Sequence, residues 1–131
     1  MKKIFGLFII CLFTACSHRN SQHLRTSNPE DVAISCYEAL AKKDYNAYVS
    51  AMHSYDSIPD AYKQRQIVLL KQYIDAINKN YGGIVGIEVS KAKTKKYKDA
   101  AEIYIILHFK NKQKEEILVS LMRENNQWKL R

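Results

Sequence analysis

The chain has 131 residues, 47% of them hydrophobic and 26% charged, with a formal net charge of +8. That length suits one small domain and leaves no room for a second of ordinary size. Three cysteines, with no His, Cys or Asp cluster at metal-ligand spacing, exclude a disulfide framework and a metal centre as organising features.

Residues 1–15 read as a signal peptide. Lys2 and Lys3 form its positive start, and residues 4–13 are apolar apart from Gly6. A bilayer span needs about 20 apolar residues, whereas the apolar region of a signal peptide has about 7–15. The segment Leu12-Phe13-Thr14-Ala15-Cys16 resembles the lipobox of bacterial lipoproteins, departing from it at Phe13, where Leu is commoner. The resemblance implies a diacylglyceryl group on the Cys16 thiol, cleavage after Ala15 and acylation of the new amino terminus. The alternative is an ordinary secretory signal with an incidental cysteine. Ser17 stands where lipoproteins held in the inner membrane of Gram-negative bacteria often carry Asp. By that resemblance the expected address is the outer membrane, facing the periplasm.

Residues 16–28 comprise the lipidated cysteine and a polar stretch in which Leu24 is the only large apolar side chain, which predicts a flexible tether. About a dozen such residues reach ~20 Å. Removing residues 1–15 takes away Lys2 and Lys3 and no acid, so +8 becomes +6. It also takes away Cys11. With Cys16 acylated, Cys36 is the one remaining thiol, and no intramolecular disulfide can form despite an oxidising compartment. Cys36 falls on an apolar helix face, which predicts a packing role.

The single domain begins at residue 29. Asn28 can cap a helix in which Pro29 fits the first turn and Glu30 and Asp31 favour the positive helix end. Its apolar stripe is Val32, Cys36 and Leu40. Asp44 can cap a short second helix carrying Tyr45, Tyr48, Val49 and Met52, and residues 53–60 form a loop. A long third helix is predicted over about 60–80, with the stripe Tyr62, Gln66, Leu69/Leu70, Tyr73 and Ile77, Ile74 beside it, and Gly82-Gly83 to end it. The period then changes to two. Strands are predicted over roughly 85–95, over 101–109, over 117–122, and around Trp128 and Leu130, with turns at 110–113 and at Asn125-Asn126. Helices first and an antiparallel sheet second is an α+β pattern.

Asn28-Pro29-Glu30-Asp31-Val32, Tyr37-Glu38-Ala39-Leu40, Lys43-Asp44-Tyr45, Gly82-Gly83-Ile84, the strand from Ala101 to Leu107 and the closing Trp128-Lys129-Leu130 resemble, in order and spacing, small bacterial lipoproteins with a nuclear-transport-factor-2-like domain. That cone-shaped fold is shared by SnoaL-like and ketosteroid-isomerase-like proteins. The resemblance implies N-terminal helices packed on a curved antiparallel sheet of about four strands, enclosing a pocket. It implies no single activity, because one fold hosts many.

An isomerase-like enzyme would need a carboxylate or histidine inside the cone beside oxyanion donors. Alternation makes Ala101, Ile103, Ile105, Leu107 and Phe109 the inner face, joined by Ile117, Val119, Leu121, Trp128 and Leu130. None of these titrates, so no catalytic, cofactor or metal residue is assigned. Glu102 and His108 fall outside. The polar residues left to line a pocket are Tyr37, Tyr48, Tyr62 and Tyr73, whose hydroxyls can orient an amphipathic ligand or be satisfied as rim and core residues. His53 with Asp56 forms a second, loop-borne candidate pair. Lys91, Lys93 and Lys95 share one face of the first strand, with Lys96 and Lys98 in the turn after it; they either guard a sheet edge or meet anionic lipid head groups or acidic glycans. Tyr104, Ile106, Leu118 and Met122 leave the outer sheet face half apolar, a surface for a homodimer.

The sequence therefore reads as an envelope lipoprotein, attached to the membrane through Cys16, whose domain binds a small ligand or an envelope protein without catalysis. The alternative is a SnoaL- or ketosteroid-isomerase-like enzyme acting on a small apolar substrate. No cofactor and no nucleic-acid partner are expected.

Overall fold

The protein is seen here as a computed structural model, which describes residues 28–131. The predicted signal peptide, Cys16 and the predicted tether, up to residue 27, lie outside the described residues.

Helix α1 (Pro29–Ala41) starts where its cap predicts: the Asn28 Oδ1 accepts a hydrogen bond from the Glu30 N–H at 3.0 Å. Asp44 does the same for α2 (Tyr45–Ser50), accepting from the Ala47 N–H at 3.1 Å. A single 3-10 turn (Tyr55–Ser57) interrupts the loop before α3 (Asp60–Tyr81). Gly82, at φ +82°, ends α3 by donating its N–H to the Asn78 carbonyl.

Five strands follow: β1 (Ile84–Val89), β2 (Lys95–Lys96), β3 (Ala100–Phe109), β4 (Lys114–Glu124) and β5 (Gln127–Leu130). The order is β1-β3-β4-β5, all antiparallel, with β2 pairing the start of β3 on the side where β1 pairs its end. The predicted first strand over 85–95 is thus two pieces. Between them the Ser90 carbonyl accepts from the Lys93 and Thr94 N–H groups and from the Thr94 hydroxyl, which turns the chain out of the sheet. Lys91 and Lys93 therefore sit in a turn rather than on a strand face. Asn125 and Asn126 both take positive φ, 49° and 61°, closing the β4–β5 hairpin. Beyond β5, the Met52 region forms a parallel bridge to Leu130, with the His53 N–H donating to the Leu130 carbonyl and the Leu130 N–H to the Ala51 carbonyl, both at 2.7 Å. That contact covers the free edge of β5.

The inner sheet face is the one alternation selects. Ile103, Ile105 and Leu107 are 0% exposed, and Ala101, Phe109, Val119, Leu121, Trp128 and Leu130 are buried with them. Helix α1 closes this face with Val32, Ala33, Cys36, Tyr37 and Leu40. Each large aliphatic side chain there contributes roughly 1.5–3 kcal/mol. Helix α3 follows its predicted stripe except at Tyr62 and Leu69. Ile74 and Ile77 enter the core and Leu70 packs against it, but Leu69 is 49% exposed and Tyr62 46%. Gln66, Leu70 and Tyr73 of the predicted stripe are half-buried and Ile77 is buried, as is Ile74 beside it; the half-buried Lys63 and Ile67, rather than Tyr62 and Leu69, continue this side of the helix. Lys63 is accommodated on it because its ammonium lies 3.9 Å from the centre of the Tyr55 ring.

Candidate functional site

Three of the four predicted tyrosines converge, one from each helix. Tyr37 (α1) and Tyr48 (α2) meet edge-on, with ring centroids 6.0 Å apart at 83°. Tyr73 (α3) stands close enough to both that the three phenols perturb one another. Burial is the main cause of the raised pKa at each, followed by the neighbouring phenol Tyr48 at Tyr37 and by Cys36 at Tyr48. At Tyr73 burial and the Glu115 carboxylate push the value up to about 12. All three hydroxyls are neutral at physiological pH, and the Tyr37 hydroxyl donates to that of Tyr48. The fourth, Tyr62, lies apart on the exposed flank of α3.

Glu115 was not among the sequence candidates. In the β3–β4 ladder it pairs with Leu107, an inner-face residue, so it has inward parity at the open end of β4. The signal was present as the alternation Glu115, Ile117, Val119, Leu121. The predicted strand over 117–122 starts three residues after β4 does and so excludes Glu115. The cluster is thus three phenols from three helices packed on the core that Leu70 and Ile117 also cover, with the exposed Glu115 carboxylate close to Tyr73. Such a set can donate hydrogen bonds to carbonyl or hydroxyl oxygens.

The other candidates resolve separately. Cys36 is 5% exposed, and burial pushes its thiol up to about 12, so it stays protonated and non-nucleophilic. His53 does not partner Asp56. Its Nε2 lies 3.5 Å from the Glu124 carboxylate, which also accepts the Ser54 N–H at 2.8 Å. The Ser54 hydroxyl sits 3.0 Å from Nδ1 and 3.4 Å from Nε2, nearly equidistant and so in line with neither nitrogen's lone pair, a poor geometry for proton abstraction. Asp56 instead lines a small groove of about 160 Å³ with Glu124 and Lys129. His108 and Glu88 bond at 2.7 Å on the outer face. Among the described residues no group of three or more His, Cys, Asp or Glu could hold a metal ion.

A similar arrangement of helices and curled sheet occurs in a solved structure from Campylobacter jejuni, of a protein proposed to be a nuclear-transport-factor-2-like transpeptidase. It superposes with a TM-score of 0.68 at 21% identity, covering 79% of this chain and 96% of that one. The fold is nuclear-transport-factor-2-like. A SEC-C motif containing protein from Rhodopseudomonas palustris is more distant, with a TM-score of 0.52 at 14% identity over 79% of this chain and 75% of that chain. No protein-family model matches the sequence, and no curated protein does so significantly. Within the nuclear-transport-factor-2-like frame, the tyrosine cluster lies where the three helices meet the concave side of the sheet.

Proposed function

We propose that the chain is a bacterial envelope lipoprotein, held through Cys16 in the outer membrane on its periplasmic side, whose domain binds a small amphipathic ligand at Tyr37, Tyr48 and Tyr73. The convergence of three neutral phenols from three separate helices carries this reading. Among the described residues the buried set contains no carboxylate or imidazole, and the strongly raised ionisations belong to phenols and a thiol. Such a lining recognises a ligand by hydrogen-bond donation without moving a proton. Native mass spectrometry of the protein purified from its host tests the proposal: a retained small molecule is expected, and its loss in Tyr48→Phe/Tyr73→Phe. A ligand-free wild type, or retention unchanged in the double variant, would sink it.

Glu115 favours one second reading, an isomerase-like enzyme in which its carboxylate is the base and the phenols are the oxyanion donors. Glu115→Gln separates the two readings, since it abolishes turnover in an enzyme and leaves ligand retention intact in a binding domain. The transpeptidase activity proposed for the Campylobacter jejuni protein finds no nucleophile in Cys36, whose thiol stays protonated.

A further inference from the structure

A partly open groove of about 160 Å³ lies where the end of α2 and the 3-10 turn meet the β4–β5 hairpin, and none of Tyr37, Tyr48 and Tyr73 lines it. The hairpin supplies most of its polar wall. Trp128 and Leu130 of β5 point into the core, so Gln127 and Lys129 point away from it. Glu124 pairs with Gln127 across the hairpin, and paired residues share one side of the sheet. Asn125 joins them from the turn, and Asp56 reaches the same groove from the 3-10 turn. Met52 and Tyr55 give it an apolar part, with the Lys63 ammonium 3.9 Å from the centre of the Tyr55 ring.

The hydrogen-bonding capacity gathered here is mostly unused by the fold. Glu124 is held through one oxygen only: its Oε2 accepts the Ser54 N–H at 2.8 Å and lies 3.5 Å from the His53 Nε2, while Oε1 has no partner among the described residues. The side chains of Asp56, Asn125, Gln127 and Lys129 make no hydrogen bond or ion pair among the described residues. Lys129 opposes a simple cation in the groove, and the two carboxylates oppose an anion. A neutral hydroxyl group both donates and accepts. Neighbouring hydroxyls can therefore donate to Asp56 and Glu124 while accepting from Lys129 and the two carboxamides. The volume is well below the 300–1,000 Å³ or so of a pocket that encloses a drug-sized ligand, and it suits a single six-membered ring whose C–H face meets Met52 and Tyr55.

We propose that this groove is a carbohydrate subsite, taking one pyranose unit through hydroxyls bound to Asp56, Glu124, Gln127 and Lys129. His53 and Ser54 are positioning residues, since they fix the Glu124 carboxylate through Oε2 and leave Oε1 to the sugar. The subsite shares no lining residue with the tyrosine cluster, so the two readings stand or fall separately.

Saturation-transfer difference NMR tests it on the protein purified from its host, mixed in turn with D-glucose, D-galactose, D-mannose and N-acetyl-D-glucosamine at millimolar concentration. Saturable transfer to the ring protons of at least one sugar is expected. Asp56 is exposed and unbonded, so Asp56→Ala should keep the wild-type circular dichroism spectrum while raising the titration midpoint about tenfold, the loss of a hydrogen bond to a charged group. Glu124→Gln, which keeps an acceptor for the Ser54 N–H, should raise it similarly. No transfer to any of the four sugars, or a midpoint unchanged in both variants, overturns the proposal. Transfer to glycine or L-lysine with none to a sugar also overturns it and assigns the groove to a zwitterion. Ligand retention at the tyrosines is read by native mass spectrometry, and its failure leaves the sugar titration to decide this site.

Discussion

Cys36 and Tyr73 bury groups that favour folding only while protonated. The thiol rises from its usual 9.0 to about 12 and the phenol from 10.0 to about 12. Below pH 9 both are protonated in the folded and unfolded chain, and their contribution is fully present. As pH rises from about 9 towards 12 the unfolded chain loses these protons first, so stability falls across that window. Urea midpoints measured through it should decline, and Cys36→Ala should decline less steeply; an unchanged slope in the variant would mean that the thiol is not a responsible group. At the centre of the sheet the expectation is independent of pH. Ile105 is 0% exposed between α1 and its strand neighbours, so Ile105→Ala should cost about 2–5 kcal/mol in equilibrium unfolding. The inner-face side chains were legible residue by residue in the sequence, because strand geometry sends alternate side chains to opposite faces. The Tyr73–Glu115 neighbourhood was not, since it joins α3 to β4 across 42 positions.

Helix α3 separates what pattern implies from what packing selects. Its apolar residues spread over nearly half its circumference, and hydrophobicity alone places Tyr62 and Leu69 inside as readily as Ile74. Ile74 and Ile77 enter the core, and the opposite flank is left outside. Leu69→Ser should therefore change stability by less than about 0.5 kcal/mol, whereas Ile74→Ala should cost about 2–5 kcal/mol. Thermal unfolding of the two variants side by side checks which side of α3 faces the core; equal losses would restore Leu69 to the stripe. The helix starts depended on no such choice. Asn28 and Asp44 cap through bonds to residues two and three positions away, and Asp44→Ala should cost about 1 kcal/mol. A cap is local chemistry and can be read without knowing what the helix packs against.

For the whole molecule, the outer sheet face is where a homodimer would form. Of its apolar residues Leu118 is 46% exposed, while Tyr104, Ile106 and Met122 are half-buried. The Lys93–Glu116 pair crosses this face, with the ammonium 6.0 Å from the Tyr104 ring centre. The apolar area left over is small against the 1,200–2,000 Å² or so that a specific interface buries. Light scattering at low micromolar concentration should accordingly find a monomer. A mass of two chains that Leu118→Lys returns to one would instead establish the sheet-face dimer.

By itself the sequence determined what nearest-neighbour geometry controls: the caps at Asn28 and Asp44, the stop at Gly82, the Asn125-Asn126 turn, and the inner face of β3. It also carried the order of elements from which the fold was inferred. Only the tertiary structure decided which flank of α3 faces the core, the break between β1 and β2, the partnering of His53 with Glu124, and the gathering of Tyr37, Tyr48 and Tyr73 while Tyr62 stayed outside. These depend on how separately specified elements share one core, and close packing settles that through contacts between residues far apart in the chain.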